Sequence, residues 1–141
     1  MITIREIDHL VLRVVDLEEM QRFYCDALGC TVERDRRDIG LVQLRAGRSI
    51  LDLVPVDGPL GRVGGAPPGA GGRNLDHFCF RIEPFDERAI REQLASHGVS
   101  AGPVEMRYGA EGNGPSMYLT DPEGNVVELK GPPSGVTRLA R

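Results

Sequence analysis

Two histidines, His9 and His77, occupy equivalent places in a strand that the chain writes twice: I-D-H-L-V-L-R-V at 7–14 and L-D-H-F-C-F-R-I at 75–82. Asp8, His9 and Arg13 return as Asp76, His77 and Arg81, all at an offset of 68. A second pair of segments repeats a carboxylate. I-L-D-L-V at 50–54 answers V-V-E-L-K at 126–130, with Asp52 and Glu128 as the acids inside these apolar strands. An unpaired carboxylate in a strand interior is costly to bury. Its recurrence in both copies asks for a compensating cation. Two imidazoles and two carboxylates (His9, His77, Asp52, Glu128) suit one divalent Fe, Mn, Ni, Co or Zn ion, with positions left for water or substrate. Each residue taken singly has a plainer reading: a strand His as a hydrogen-bonded core or surface residue, a strand acid as a solvent-facing one. Matching placement in two internal copies favours the metal. Asp52 is the shorter acid and the candidate for a contact through water.

The elements that must position these groups also come twice. Residues 4–14 alternate as a strand, with Leu10, Leu12 and Val14 on one face and His9, Val11 and Arg13 on the other. Asp16 is a plausible N-cap. Leu17, Met20, Phe23, Tyr24, Ala27 and Leu28 form one apolar stripe, which predicts a helix over 17–28, stopped by Gly29. Strands are expected near 30–36, 40–46 and 49–55. The second half repeats the order: a strand over 76–82, a helix over 86–96, then strands near 102–107, 115–120 and 125–130. The turn D-P-E-G-N at 121–125 has the Pro and Gly of a tight hairpin. Each half is strand–helix–strand–strand–strand, an α+β arrangement. The helix covers one face of the first strand, so the His-bearing face must look elsewhere, into a concave surface.

Boundaries follow from composition: a first module at 1–55, a Gly/Pro-rich linker at 56–74, a second module at 75–131 and a tail at 132–141. The linker is too rich in Gly and Pro for a packed element. It reads as a flexible connection, with a lid over the site and a linker of no role as the two alternatives.

A chain of 141 residues can bury a core without a metal staple, so a metal here is expected to be catalytic. Net charge is -4 and the cations are scattered, which argues against a nucleic-acid partner. No apolar run approaches the roughly 20 residues of a membrane span. The opening M-I-T-I-R-E lacks the charged and apolar regions of a signal peptide, and a cytoplasmic protein is expected. Cys25, Cys30 and Cys79 lack metal-site spacing and read as reduced, mostly buried small hydrophobes.

The motifs I-D-H-L-V-L-R-V-V-D-L at 7–17, F-Y-C-D-A-L-G-C at 23–30, L-D-H-F-C-F-R-I at 75–82 and Y-L-T-D-P-E-G-N-V-V-E-L at 118–129 resemble the vicinal oxygen chelate superfamily. That superfamily includes glyoxalase I, methylmalonyl-CoA epimerase, fosfomycin-resistance enzymes, extradiol dioxygenases and bleomycin-resistance proteins. The resemblance covers about residues 4–131. It implies paired βαβββ modules forming a half-open barrel around one divalent ion, with His9, His77 and Glu128 as ligands. The fourth ligand position is Glu or Gln in many glyoxalase-like members and is Asp52 here, a departure from four-ligand glyoxalase geometry. The bleomycin-binding branch generally lacks these ligands. The resemblance also implies a homodimer whose modules complete one another's sites.

The chemistry so implied is chelation of vicinal substrate oxygens. Glu128 is ligand and candidate base, and Asp52 the opposite base or a water-mediated ligand. The expected activity is a glyoxalase-I-like lyase or isomerase acting on a small molecule. A dioxygenase, a fosfomycin-type thiol transferase and a non-catalytic small-molecule-binding resistance protein are the alternatives. Arg13 and Arg81 share strand faces with the histidines and are candidates to bind a substrate carboxylate or phosphate; their structural reading is a salt bridge at the rim. Gln43 and Tyr118 are candidates to position substrate, or parts of the packing. His97, at a predicted helix end, fits a dipole role and no chemistry.

Overall fold

A computed structural model describes residues 1–134. The chain divides into two compact units, one of Met1–Asn74 and a second opening at Leu75. Of the tail at 132–141, residues 135–141 lie outside the described residues.

The first unit runs β1 (His9–Val14), α1 (Leu17–Arg22) extended by a π-helical turn (Phe23–Ala27), β2 (Thr31–Arg36), β3 (Leu41–Ala46) and β4 (Ser49–Pro55). Its sheet has the order β1-β4-β3-β2, with β1 parallel to β4 and the other pairs antiparallel. The parallel pair exists because the helix carries the chain back across the sheet, as a crossover must. Asp16 caps α1 by accepting from the Glu19 amide at 3.0 Å, and Gly29 ends the helical run at φ 83°. Met20, Phe23, Tyr24 and Ala27 bury the helical stripe, and Leu12, Val42, Leu44, Leu51 and Leu53 are buried with them. The other face of β1 is left to His9, Val11 and Arg13.

The second unit repeats the order as β5 (Phe78–Arg81), α2 (Glu87–Ser96), β6 (Glu105–Gly109), β7 (Gly112–Thr120) and β8 (Val126–Lys130). Its sheet is β5-β8-β7-β6, again with the first pair parallel. Asp86 caps α2 through the Ala89 amide at 3.1 Å. Leu94, Met117, Leu119, Val127 and Leu129 are its buried apolar residues. The 121–125 turn is fixed by Asp121, whose Oδ1 accepts from the Glu123 and Asn125 amides at 2.9 Å each. The fold is thus α+β, two four-stranded mixed sheets each served by one helix. Among the described residues, no helix is long and apolar enough to cross a membrane.

Three boundaries differ from the sequence pattern. β1 begins at His9 rather than at residue 4, because its partner begins at Ser49 and His9 is already opposite Ile50. Residues before Asp8 have run past the β3–β4 hairpin and find no ladder to join; Ile2, Ile4 and Ile7 are exposed. β5 likewise begins at Phe78, one residue after His77. The stretch G-A-E-G-N-G-P at 109–115, left between the strands expected near 102–107 and 115–120, is the tip and returning arm of a hairpin, with Gly109 paired to Gly112.

The Gly/Pro-rich stretch after β4 carries more fixed structure than its composition suggests. Arg13 donates to the carbonyls of Gly61 at 3.1 Å, Gly65 at 2.8 Å and Ala66 at 3.0 Å. Asn74 closes the same clasp, accepting from the Arg13 amide at 3.2 Å and donating to its carbonyl at 3.0 Å. A Cβ at Gly64 would lie 2.4 Å from Arg13 Nε, so the close approach requires glycine there. Charge-assisted bonds of this kind are worth roughly 1.5–3 kcal/mol each. Replacing Arg13 with Met is therefore expected to accelerate tryptic cleavage after Arg62 by about tenfold or more. An unchanged cleavage rate would show that the clasp does not hold this segment.

Candidate metal and substrate site

On the open face of the first unit, His9 stands on β1 and Asp52 on β4, where Asp52 lies opposite Val11 on one side and Gln43 on the other. Asp52 is buried, and its Oδ1 accepts from Gln43 Nε2 at 3.1 Å. His9 is exposed, with Nδ1 2.8 Å from Asp8 Oδ1. The Asp8 hydrogen bond holds the His9 pKa above its ordinary value, with a further contribution from the Asp52 charge.

The second unit repeats the device more tightly. His77 Nδ1 is 2.6 Å from Asp76 Oδ2, and its Nε2 is 3.4 Å from Glu128 Oε1. Glu128 is buried in the middle of a cross-sheet row, with Cys79 of β5 on one side and Tyr118 of β7 on the other. The Tyr118 ring meets the His77 ring edge-on at 5.4 Å, and the Arg107 guanidinium covers it at 4.4 Å. Burial, then the Glu128 charge, raises the Tyr118 phenol. Partial desolvation by the surrounding sheet, then the Glu128 charge, pushes the Cys79 thiol up to about 11 even though the residue keeps an exposed surface. Such a thiol is a poor nucleophile near neutral pH. Cys79 is exposed, against the expectation of burial, whereas Cys30 is buried and Cys25 partly so.

The donor chemistry fits a divalent ion. An imidazole whose Nδ1–H is donated to a carboxylate presents a lone pair at Nε2. At His77, Nε2 lies 3.4 Å from a Glu128 oxygen; with Nδ1–H given to Asp76, a cation would bridge the two. Two ligand atoms bound to one ion at about 2.1 Å lie roughly 3.0–3.4 Å apart, which the His77–Glu128 spacing matches. Among the described residues, no three His, Cys, Asp or Glu side chains are grouped as a ligand set. Each unit instead presents a His and a carboxylate on one face of its sheet. Asp8 and Asp76 are the residues that sequence reasoning left without a role, although their repetition beside each histidine was the available signal.

Of the four substrate candidates, Gln43 holds Asp52 and Tyr118 packs on His77 beside Glu128. Arg81 is bound to Glu111 at 2.6 Å and to the Ile82 carbonyl at 2.6 Å, at the edge of a cleft of about 230 Å³. Arg13 is engaged by the 61–66 carbonyls. The cleft is lined by Cys79, Arg81, Tyr108, Glu111, Glu128 and Lys130, together with Gly109 and Ala110.

A carboxylate that orients a metal-binding imidazole typically contributes 10–100-fold in metal affinity. Asp76→Asn should accordingly weaken divalent-metal binding by about that factor, read by competition with a chromophoric chelator. An unchanged affinity would remove Asp76 from the site.

The two units share one layout, strand–helix–three strands, with a His at or just before the first strand and an acid in the last. A profile of the Glyoxalase/Bleomycin resistance protein/Dioxygenase superfamily matches residues 6–129, and the chain belongs to that superfamily. It is 31% identical over 132 residues to virulence protein STM3117 of Salmonella typhimurium, covering 89% of this chain and 83% of that one. The crystal structure of STM3117 superposes with a TM-score of 0.75 at 26% identity, over 93% of this chain and 99% of that one. The glyoxalase domain-containing protein RDO1 of Mycosarcoma maydis is 29% identical over 136 residues, 91% of this chain and 69% of that one. A lactoylglutathione lyase from Agrobacterium tumefaciens shares the fold, with a TM-score of 0.62 and 22% identity over 89% and 92% of the two chains.

Proposed function

We propose that the protein is a divalent-metal-dependent lyase or isomerase of the glyoxalase type, acting on a small substrate with vicinal oxygens. The observation that supports it best is the His77 Nε2–Glu128 Oε1 approach at 3.4 Å, with His77 Nδ1 already held by Asp76. His9, with Asp8 behind it, supplies the equivalent imidazole from the first unit. The proposed ligands are His9, His77 and Glu128, drawn from one chain or from two copies in a homodimer; Asp52 serves through water or as an opposing base. When bound, the ion supplies a Lewis acid that polarises the substrate oxygens.

The protein's own groups do the rest. Asp8 and Asp76 fix the tautomer of each imidazole. Glu128 turns Oε1 toward His77 and in this reading moves a proton at the carbon beside the substrate oxygens. Gln43 holds Asp52 in place, and Tyr118 walls one side of Glu128. Arg81 and Tyr118 contact the substrate in this reading, and Gln43 and Arg13 act mainly by holding Asp52 and the 61–66 segment.

The test is removal and return of the metal. Chelator-stripped protein should lose turnover of an oxygen-chelating hydroxyketone or hemithioacetal substrate, such as the adduct of a 2-ketoaldehyde with a thiol. Reloading with Fe, Mn, Ni, Co or Zn should restore it. A protein that binds a small ligand tightly with no metal, and turns nothing over with any of the five, is a sequestering protein instead.

A further inference from the structure

Sixteen of the seventeen basic residues of this chain are arginine, and the single lysine is Lys130. It is also buried, at 5% exposure, and lines the second unit's cleft. Its Nζ donates to the Gly112 carbonyl at 2.9 Å. An ammonium carries three protons, and among the described residues that carbonyl is its one hydrogen-bond partner. No described carboxylate lies within ion-pair distance of it. The neighbouring cations differ: Arg81 is paired with Glu111 at 2.6 Å and Arg107 with Glu105 at 3.0 Å. Glu128, two residues back on the same face, is turned toward His77.

The surroundings are shaped to this one side chain. A Cβ at Gly109 would come within 2.9 Å of Lys130 Cε; one at Gly114 would meet the Pro132 and Gly131 carbonyl oxygens at 2.7 and 2.8 Å, with Nζ next at 3.0 Å. Glycines on β6 and β7 thus open a slot for a slim stem with a compact charge. A compact ammonium on a slim stem suits such a slot better than a broad planar guanidinium. A buried charge without a counter-charge is costly, and proteins retain one where a ligand compensates it.

We propose that Lys130 is an anion-binding residue, and that the cleft takes a carboxylate, phosphate or phosphonate group of a small molecule. Lys130 and Glu128 are two strand residues apart, about 7 Å along β8. Resting on the metal-enzyme reading above, this places the substrate's anionic group a few bonds from its vicinal oxygens, and so specifies an anionic substrate. Arg81 at the cleft edge, already neutralised by Glu111, contributes donors without adding net charge.

The lone lysine makes the test direct. Protein labelled with ¹³Cε-lysine should give one lysine signal, to be followed in metal-free wild type during titration with inorganic phosphate and acetate at constant ionic strength. The expected result is a saturable shift with either probe. Lys130→Met should melt at higher temperature than wild type in anion-free buffer, since it removes an uncompensated buried charge. It should also weaken phosphate binding by more than about tenfold. A lysine signal that does not saturate, or a Lys130→Met protein that keeps the full phosphate-dependent rise in Tm, would overturn the proposal. Metal binding is measured on the same samples. A lysine shift without metal binding fails only the metal-enzyme reading, and metal binding without a lysine shift fails only the anion site.

Discussion

Glu128→Gln is expected to lower kcat by about 10²–10⁴-fold and to weaken divalent-metal binding as well. The substitution keeps shape and removes charge. Glu128 is buried between Cys79 and Tyr118 in a paired strand, so an amide of the same volume fits the same space. What changes is the interaction at Nε2 of His77. In the proposed site the carboxylate oxygen 3.4 Å from that nitrogen would share a cation with it, whereas an amide is a weaker ligand and no base. The Gln variant should melt within a few degrees of wild type, which separates loss of chemistry from loss of fold. Full retained activity would refute the assignment of Glu128.

Leu53→Ala should produce the largest loss of stability among single core changes in the first unit. Leu53 is the middle of a row that crosses the sheet, with Leu12 on β1 and Val42 on β3 as its direct partners, all fully buried. Truncation there leaves a cavity bounded by paired strands that have little freedom to collapse. Changes of this type cost about 2–5 kcal/mol, against a typical domain stability of roughly 5–15 kcal/mol. Urea unfolding should show a lower midpoint with an unchanged slope. Val11→Ala, one residue from Leu12 but on the exposed face, should change stability by under about 1 kcal/mol. Equal losses for the two would show that this row is not the core.

The strands and helices were readable because each sheet has one buried face. Leu10, Leu12 and Val14 alternate with His9, Val11 and Arg13 for that reason, and the stripe from Leu17 to Leu28 has helical spacing because it covers the buried side. The repeat at His9 and His77 was readable because internal copies compare with themselves. The starts of β1 and β5 were not, since a strand ends where its partner ends and pairing register is a long-range property. The arginine clasp was hidden for another reason: Arg13 binds main-chain carbonyls, which every residue possesses. Lys130 was passed over because its environment is made by absences, glycines at 109 and 114, rather than by a pattern of side chains. Glycine-rich runs such as G-A-E-G-N-G-P suggest loops by composition even where they pair as strands.

The most direct measurement is X-ray absorption on protein loaded with one equivalent of a divalent metal, counting bound imidazoles. Two are expected in the wild type, one in His9→Ala and one in His77→Ala. A metal environment with no imidazole, or one that neither substitution alters, would contradict the proposed site.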